Sequence, residues 1–142
     1  MTPETAELVR YRLGRAGESV TEAQLLLAND HVRTAVNRLY YACFYAVSAL
    51  LLTEGYSSPK HTGIRALFDQ HWIAPGRLPK EMGRLYRRLF DARQKGDYAD
   101  LVSFDPAEVR CWVDEALTFV DQIARSVTSS LAERPRESSE TQ

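Results

Sequence analysis

Two stretches of this sequence carry side chains that could do chemistry. In Arg38-Leu39-Tyr40-Tyr41-Ala42-Cys43-Phe44-Tyr45-Ala46, one guanidinium sits in an otherwise apolar, ring-rich run. A cation in such a run must reach an acid, a carbonyl or water, and the rings beside it are either core or a ligand cage. The second stretch, Arg93-Gln94-Lys95-Gly96-Asp97-Tyr98, sets two bases, an acid and a phenol within six residues. Read plainly, its bases answer the dipole at a helix end and Asp97 bonds nearby amides in a turn. Read as a site, it offers a cation for an anionic ligand beside a hydroxyl.

Other familiar chemistry is missing. There is no glycine-rich phosphate loop, no His-Glu-x-x-His and no Gly-x-Ser-x-Gly. The three histidines, His31, His61 and His71, fall on separate segments, so neither a metal site nor a cofactor is expected. Cys43 and Cys111 have no zinc or redox spacing and read as two buried thiols.

Helices must position these residues. The chain has 142 residues, 44% of them hydrophobic, with only 7 Gly and 6 Pro, enough for one domain that buries its own core. Thr2-Pro3 caps a first helix whose apolar face is Val9, Leu13, Ala16, Val20, Ala23 and Leu27, ending near Asn29-Asp30. Gly14 and Gly17 on it could admit a close neighbour. A second helix from about His31 to Glu54 is apolar on most sides and should be central. A short third helix runs to about Trp72. A fourth runs from Pro79 to about Lys95, where Gly96 ends it, and 97–104 forms an irregular connection. Asp105-Pro106-Ala107-Glu108 has the form of a capping box and opens a fifth helix to about Leu131. The reading is an all-α, up-and-down bundle of four to five helices over 1–131, with a flexible tail over 132–142. The longest uncharged run, Leu39–Thr53, is short of the ~20 residues a membrane span needs, and the N-terminal segment is charged throughout. A cytoplasmic protein with no membrane partner is expected.

Charge is uneven, although it sums to −1. Nine bases and three acids lie between Lys60 and Lys95, one base and seven acids between Asp97 and Asp121. The two blocks either pair with each other or leave a basic groove exposed.

Together, Arg38-x-Tyr40-Tyr41-x-x-Phe44, Lys60-His61-x-Gly63, Leu78-Pro79-Lys80-Glu81 and Arg93-x-x-x-Asp97-Tyr98 resemble the HEPN superfamily (higher eukaryotes and prokaryotes nucleotide-binding domain), in a small prokaryotic branch. The resemblance covers about residues 8–127. It implies a helical bundle that forms a homodimer, a place in a toxin–antitoxin pair beside a minimal nucleotidyltransferase, and RNA or nucleotide binding in the dimer cleft. It also implies metal-independent endoribonuclease chemistry from an Arg followed, four to six residues on, by a His. By that resemblance Arg93, Asp97 and Tyr98 are the catalytic candidates and Arg38, Tyr41 and His61 nucleotide- or RNA-binding ones, while Arg87, Arg88 and Lys95 join the latter as bases of the groove that uneven charge suggests. The chain departs at one place: Tyr98 stands where the motif carries His, and a phenol with a pKa near ~10 exchanges protons poorly at neutral pH. Arg65 and His71 fit the spacing too, on another helix, as short patterns do by chance. Two further readings follow: a non-catalytic partner adenylylated on Tyr98 by the nucleotidyltransferase, or a helical adaptor in which Arg38, Asp97 and Tyr98 form a structural network.

Overall fold

The structure is a computed structural model describing residues 1–98 and 102–140, with side chains described for 1–97 and 102–132. Five helices follow one another: α1 (Pro3–Ala28), α2 (Val32–Thr53), α3 (His61–Phe68), α4 (Lys80–Tyr98) and α5 (Pro106–Glu140). The chain is an all-α bundle, and no strand occurs among the described residues. Thr2 caps α1, its hydroxyl accepting from the Thr5 amide at 3.1 Å, which satisfies one of the amides a helix start leaves free. A π-helical turn, Asp69–Ile73, prolongs α3 and swings Trp72 into the core.

Helix α2 is the axis of the bundle and packs against α1, α3, α4 and α5. It is the one helix among the described residues long and apolar enough to cross a membrane, yet most of it is buried by its neighbours. That is how a helix apolar on most sides behaves at the centre of a bundle. Tyr40, Tyr86, Phe68 and Phe119 are wholly or almost wholly enclosed. Phe68 and Tyr86 lie 5.9 Å apart, Tyr86 and Phe119 6.2 Å, and Tyr40 and Tyr86 6.1 Å, as ring centroids. This chain of rings links α2, α3, α4 and α5.

Several local expectations are corrected. Gly96 does not end α4, which continues to Tyr98. Gly96 is buried, and a Cβ there would lie 3.5 Å from both Arg33 and Phe104. Tertiary packing thus offsets the roughly 1 kcal/mol propensity cost of an interior glycine. Arg33 in turn donates to the Val102 carbonyl at 2.7 Å, and Phe104 packs on Trp112. Residues 97 and 98, expected in an irregular connection, are thus helical, and 99–101 of that expected connection lie outside the described residues. Cys111 is exposed rather than buried, because Val109, Trp112 and Val113 take the inner face of α5. Gly14 and Gly17 face open space, and no other helix of this chain packs on them among the described residues. Helix α5 passes Leu131 and is assigned to Glu140; the side chains of the expected tail lie, from 133 on, outside the described residues.

Candidate functional site

The two sequence stretches meet in space, and His61 joins them. The second helix turns Tyr41 and Phe44 toward His61 of α3, and Tyr41 toward Arg93 of α4, with Tyr40 buried beneath. His61, the first residue of α3, stacks on Phe44 at 4.4 Å between centroids. Its Nδ1 lies 2.7 Å from the Tyr40 hydroxyl. From α4, the Arg93 guanidinium lies 4.9 Å from the Tyr40 ring centre and 5.2 Å from that of Tyr41. Cation–ring contacts of this kind contribute roughly 0.5–2 kcal/mol, so three helices are held together at this point.

Gly63 lets α3 start where it does. A Cβ there would fall 2.1 Å from the Ser58 hydroxyl oxygen, so only glycine lets the 57–60 segment fold against the first turn. The Ser58 hydroxyl also accepts from the Lys60 amide at 3.2 Å. His61 is thereby delivered to the rings.

Arg93 is half-buried, and its Nε lies 3.3 Å from Asp97 Oδ2. That is close enough for an ion pair, but Nε makes no aligned hydrogen bond. Its two outer nitrogens have no hydrogen-bonding partner among the described residues. A guanidinium stacked on rings presents its forked donors in the geometry that phosphate and carboxylate groups accept.

Electrostatics keep the neighbours neutral. Burial pushes the Tyr40 phenol up to about 12, with Arg93 pulling it partly back. Burial first, and the Arg93 charge second, hold the His61 imidazole below its ordinary value. At neutral pH the phenol keeps its proton and the imidazole is uncharged. Burial also raises Tyr86, whose enclosed hydroxyl lies beside that of Tyr40 without an aligned hydrogen bond.

The remaining candidates divide. Arg38 borders the cluster, lying 5.2 Å from the Tyr41 ring centre. Its nitrogens donate to Asn37 Oδ1 and approach Glu22 at 3.9 Å. It does not share a network with Asp97, which turns to Arg93. Arg87 and Arg88 stand elsewhere: Arg87 pairs with Asp69 at 3.4 Å and Arg88 with Glu115 at 3.4 Å. Helical geometry sets their exposed side of α4 away from Arg93, and Lys95 is likewise exposed. The basic and acidic blocks meet at Arg88–Glu115, while Lys80, Arg84 and Arg87 line a separate open groove of about 340 Å³ with Asp69 and Ile73. Tyr98 closes α4, but its side chain lies outside the described residues. Arg65 and His71 diverge, Arg65 lying over Phe90 at 4.3 Å and His71 stacking on Tyr56 at 4.2 Å. Among the described residues no three of His, Cys, Asp and Glu gather as a metal would need.

Sequence reading missed the roles of Tyr40 and Phe44 in holding His61. The shared spacing of Arg38, Tyr41 and Phe44 along one side of α2 was the available signal.

The HEPN domain profile matches residues 9–127, a span containing every residue of this cluster. The chain belongs to the HEPN family. Among relatives of this HEPN chain, a Thermotoga maritima protein named "UPF0332 protein" is 42% identical over 124 residues, covering 87% of this chain and 94% of its own length. Two further relatives are from Methanocaldococcus jannaschii. One, named "Putative toxin MJ0605", is 33% identical over 132 residues, 92% of this chain and 97% of its own. The other, named "Putative toxin MJ0142", is 26% identical over 115 residues, 81% of this chain and 78% of its own.

Proposed function

We propose that this HEPN protein is the toxin component of a toxin–antitoxin pair, and that it binds RNA at the Arg93 cluster and cleaves it without a metal ion. One observation carries the reading: a ring-stacked guanidinium, whose outer nitrogens have no hydrogen-bonding partner among the described residues, stands beside an uncharged imidazole. A phosphodiester brought to Arg93 would share its developing negative charge with the guanidinium, and unpaired bases stack well on Tyr and Arg faces. The names of the two M. jannaschii relatives agree with the toxin role.

Two copies working together are part of this proposal. Leu8, Tyr11 and Leu25 are exposed on α1, Tyr11 to 64%. They follow the spacing of one helix stripe, which passes Arg15 and Glu22. Arg15 lies over the Tyr45 ring at 5.4 Å and Glu22 approaches Arg38, so this apolar stripe adjoins the site. A second copy seated on it would place two Arg93 clusters near one another.

The test is incubation of the purified full chain with total RNA in EDTA. Cleavage that Arg93→Ala removes supports the reading. Cleavage that survives Arg93→Ala unchanged, or none by the unsubstituted protein, overturns it.

A further inference from the structure

The sequence puts a phenol, Tyr98, five residues beyond Arg93, where a histidine would serve better as a proton-exchange group at neutral pH. We propose that His61 supplies it, its Nε2 taking the proton of a ribose 2′-hydroxyl while Arg93 holds the neighbouring phosphate. This assignment rests on the nuclease reading above and adds to it a residue from a different helix.

Geometry singles out His61 among the histidines. His31 is exposed at the start of α2 and His71 is stacked on Tyr56, whereas His61 shares the rings of Tyr40 and Tyr41 with Arg93. Nδ1 is engaged by the Tyr40 hydroxyl at 2.7 Å. Nε2 has no hydrogen-bonding partner among the described residues. One nitrogen is anchored and the other is available, the arrangement that fixes a ring while leaving it free to exchange a proton.

The hydroxyls behind the ring decide which nitrogen carries the proton. To act as a base at Nε2, neutral His61 must hold its proton on Nδ1 and donate it to the Tyr40 oxygen. The Tyr40 proton then needs another acceptor. The Tyr86 hydroxyl is beside it, enclosed and without an aligned hydrogen bond, so a small rotation gives that proton a place to go. Tyr40 and Tyr86 are positioning residues in this account. The titratable and charged groups around His61 are Tyr40 and Tyr41 of α2, Arg93 of α4, and Lys60 and Arg65 of its own segment. Asp97 is turned to Arg93, and among the described residues no carboxylate acts on the imidazole to hold its charged form.

The step balances as follows. The 2′-hydroxyl proton passes to Nε2, and the 2′-oxygen forms a bond to the adjacent phosphorus. The bond from phosphorus to the 5′-oxygen breaks. The departing oxygen takes a proton from water, leaving a 2′,3′-cyclic phosphate and a 5′-hydroxyl, and His61 returns its proton to solvent.

End-labelled RNA, cut by the full chain in EDTA, tests the assignment. His61→Ala should slow cleavage at least about 100-fold, while a 2′-deoxy oligonucleotide, which cannot be cut, binds within about twofold of the unsubstituted protein. His61→Gln, which fills similar space, should be equally slow and guards against simple misfolding. Tyr86→Phe should lower kcat with little change in KM and shift the tautomer read from the ¹⁵N signals of His61 toward Nε2–H. Cleavage by His61→Gln or His61→Ala within about threefold of the unsubstituted protein overturns the assignment and leaves the nuclease reading standing. Cleavage of the 2′-deoxy oligonucleotide overturns the 2′-hydroxyl step. If the unsubstituted protein cuts nothing, the nuclease reading falls and this assignment with it.

Discussion

Arg93 lies with its guanidinium 4.9 Å from the centre of the Tyr40 ring, so the cation most suited to an anionic ligand also clamps α4 to α2. Binding and stability can be separated by choosing the replacement. Arg93→Lys keeps the charge but loses the planar stack and the forked donors. It should weaken RNA binding while retaining most of its salt dependence. Arg93→Ala should also lower the slope of log affinity against log salt by about 1, the signature of one lost phosphate contact. Fluorescence anisotropy of a labelled oligonucleotide over a salt series reads both outcomes.

The His61 imidazole is held below its ordinary value by burial and by Arg93, and this has a consequence for stability. The unfolded chain binds a proton at His61 more readily than the folded one. Stability contributed here is therefore fully present above about pH 6.5 and is lost as pH falls through the depressed folded value. Melting temperature should drop across that window, and His61→Gln should flatten the drop relative to the unsubstituted protein. A thermal-melt series from pH 8 to 4 with both proteins measures it.

Gly63 should not tolerate a methyl group. A Cβ at this position falls 2.1 Å from the Ser58 oxygen and 2.9 Å from the Ser58 Cβ, so the 57–60 segment must move. Gly63→Ala should destabilise by about 1–3 kcal/mol, the usual cost of overpacking. Ser58→Gly in the same chain should recover part of that loss, because it removes both clashing atoms. Urea unfolding of the single and double variants reads the difference.

Much of this was legible in the residues, and the exceptions have causes. The inner faces of α1, α4 and α5 follow from three- and four-residue spacing, which reports the buried side of a helix directly. Val9, Ala16, Leu85, Leu89, Val109 and Ile123 are all buried. Gly96 misled because propensity was weighed without Arg33 and Phe104, which close over it from sequence-distant segments. Cys111 misled because Trp112 beside it is the residue that points inward. For the candidate cluster, Arg93, Arg38, Tyr41 and His61 all stand in the motifs. That His61 and Arg93 share the rings of Tyr40 and Tyr41 was not, since it depends on how α3 and α4 cross α2. Arg87 and Arg88 were grouped with Arg93 by charge alone, and helical rotation separates them from it.

That separation can be tested on its own. Arg87 pairs with Asp69, and Arg88 pairs with Glu115, both as exposed contacts of the sort that contribute about 0–1 kcal/mol. Arg87→Ala and Arg88→Ala should each leave melting temperature nearly unchanged. If RNA follows only the Arg93 side of α4, they should also leave affinity within about twofold, in contrast to Arg93→Ala. A large loss of binding in either variant would extend the nucleic-acid path around α4 toward the groove lined by Lys80 and Arg84.

The exposed stripe on α1 gives the last prediction, about assembly. Tyr11 is 64% exposed and Leu25 62%, and large apolar side chains left in water along one helix stripe are suited to cover by another protein surface. If that surface is a second copy, an acid placed at the stripe must be buried without a partner on both sides of a symmetric contact. Tyr11→Glu should then shift the protein from dimer to monomer in sedimentation equilibrium, with its melting temperature measured well below the dimer's dissociation concentration unchanged. Loss of RNA cleavage in the same variant, with the Arg93 cluster intact, would tie activity to the paired state. A variant that sediments like the unsubstituted chain would instead move the contact off α1.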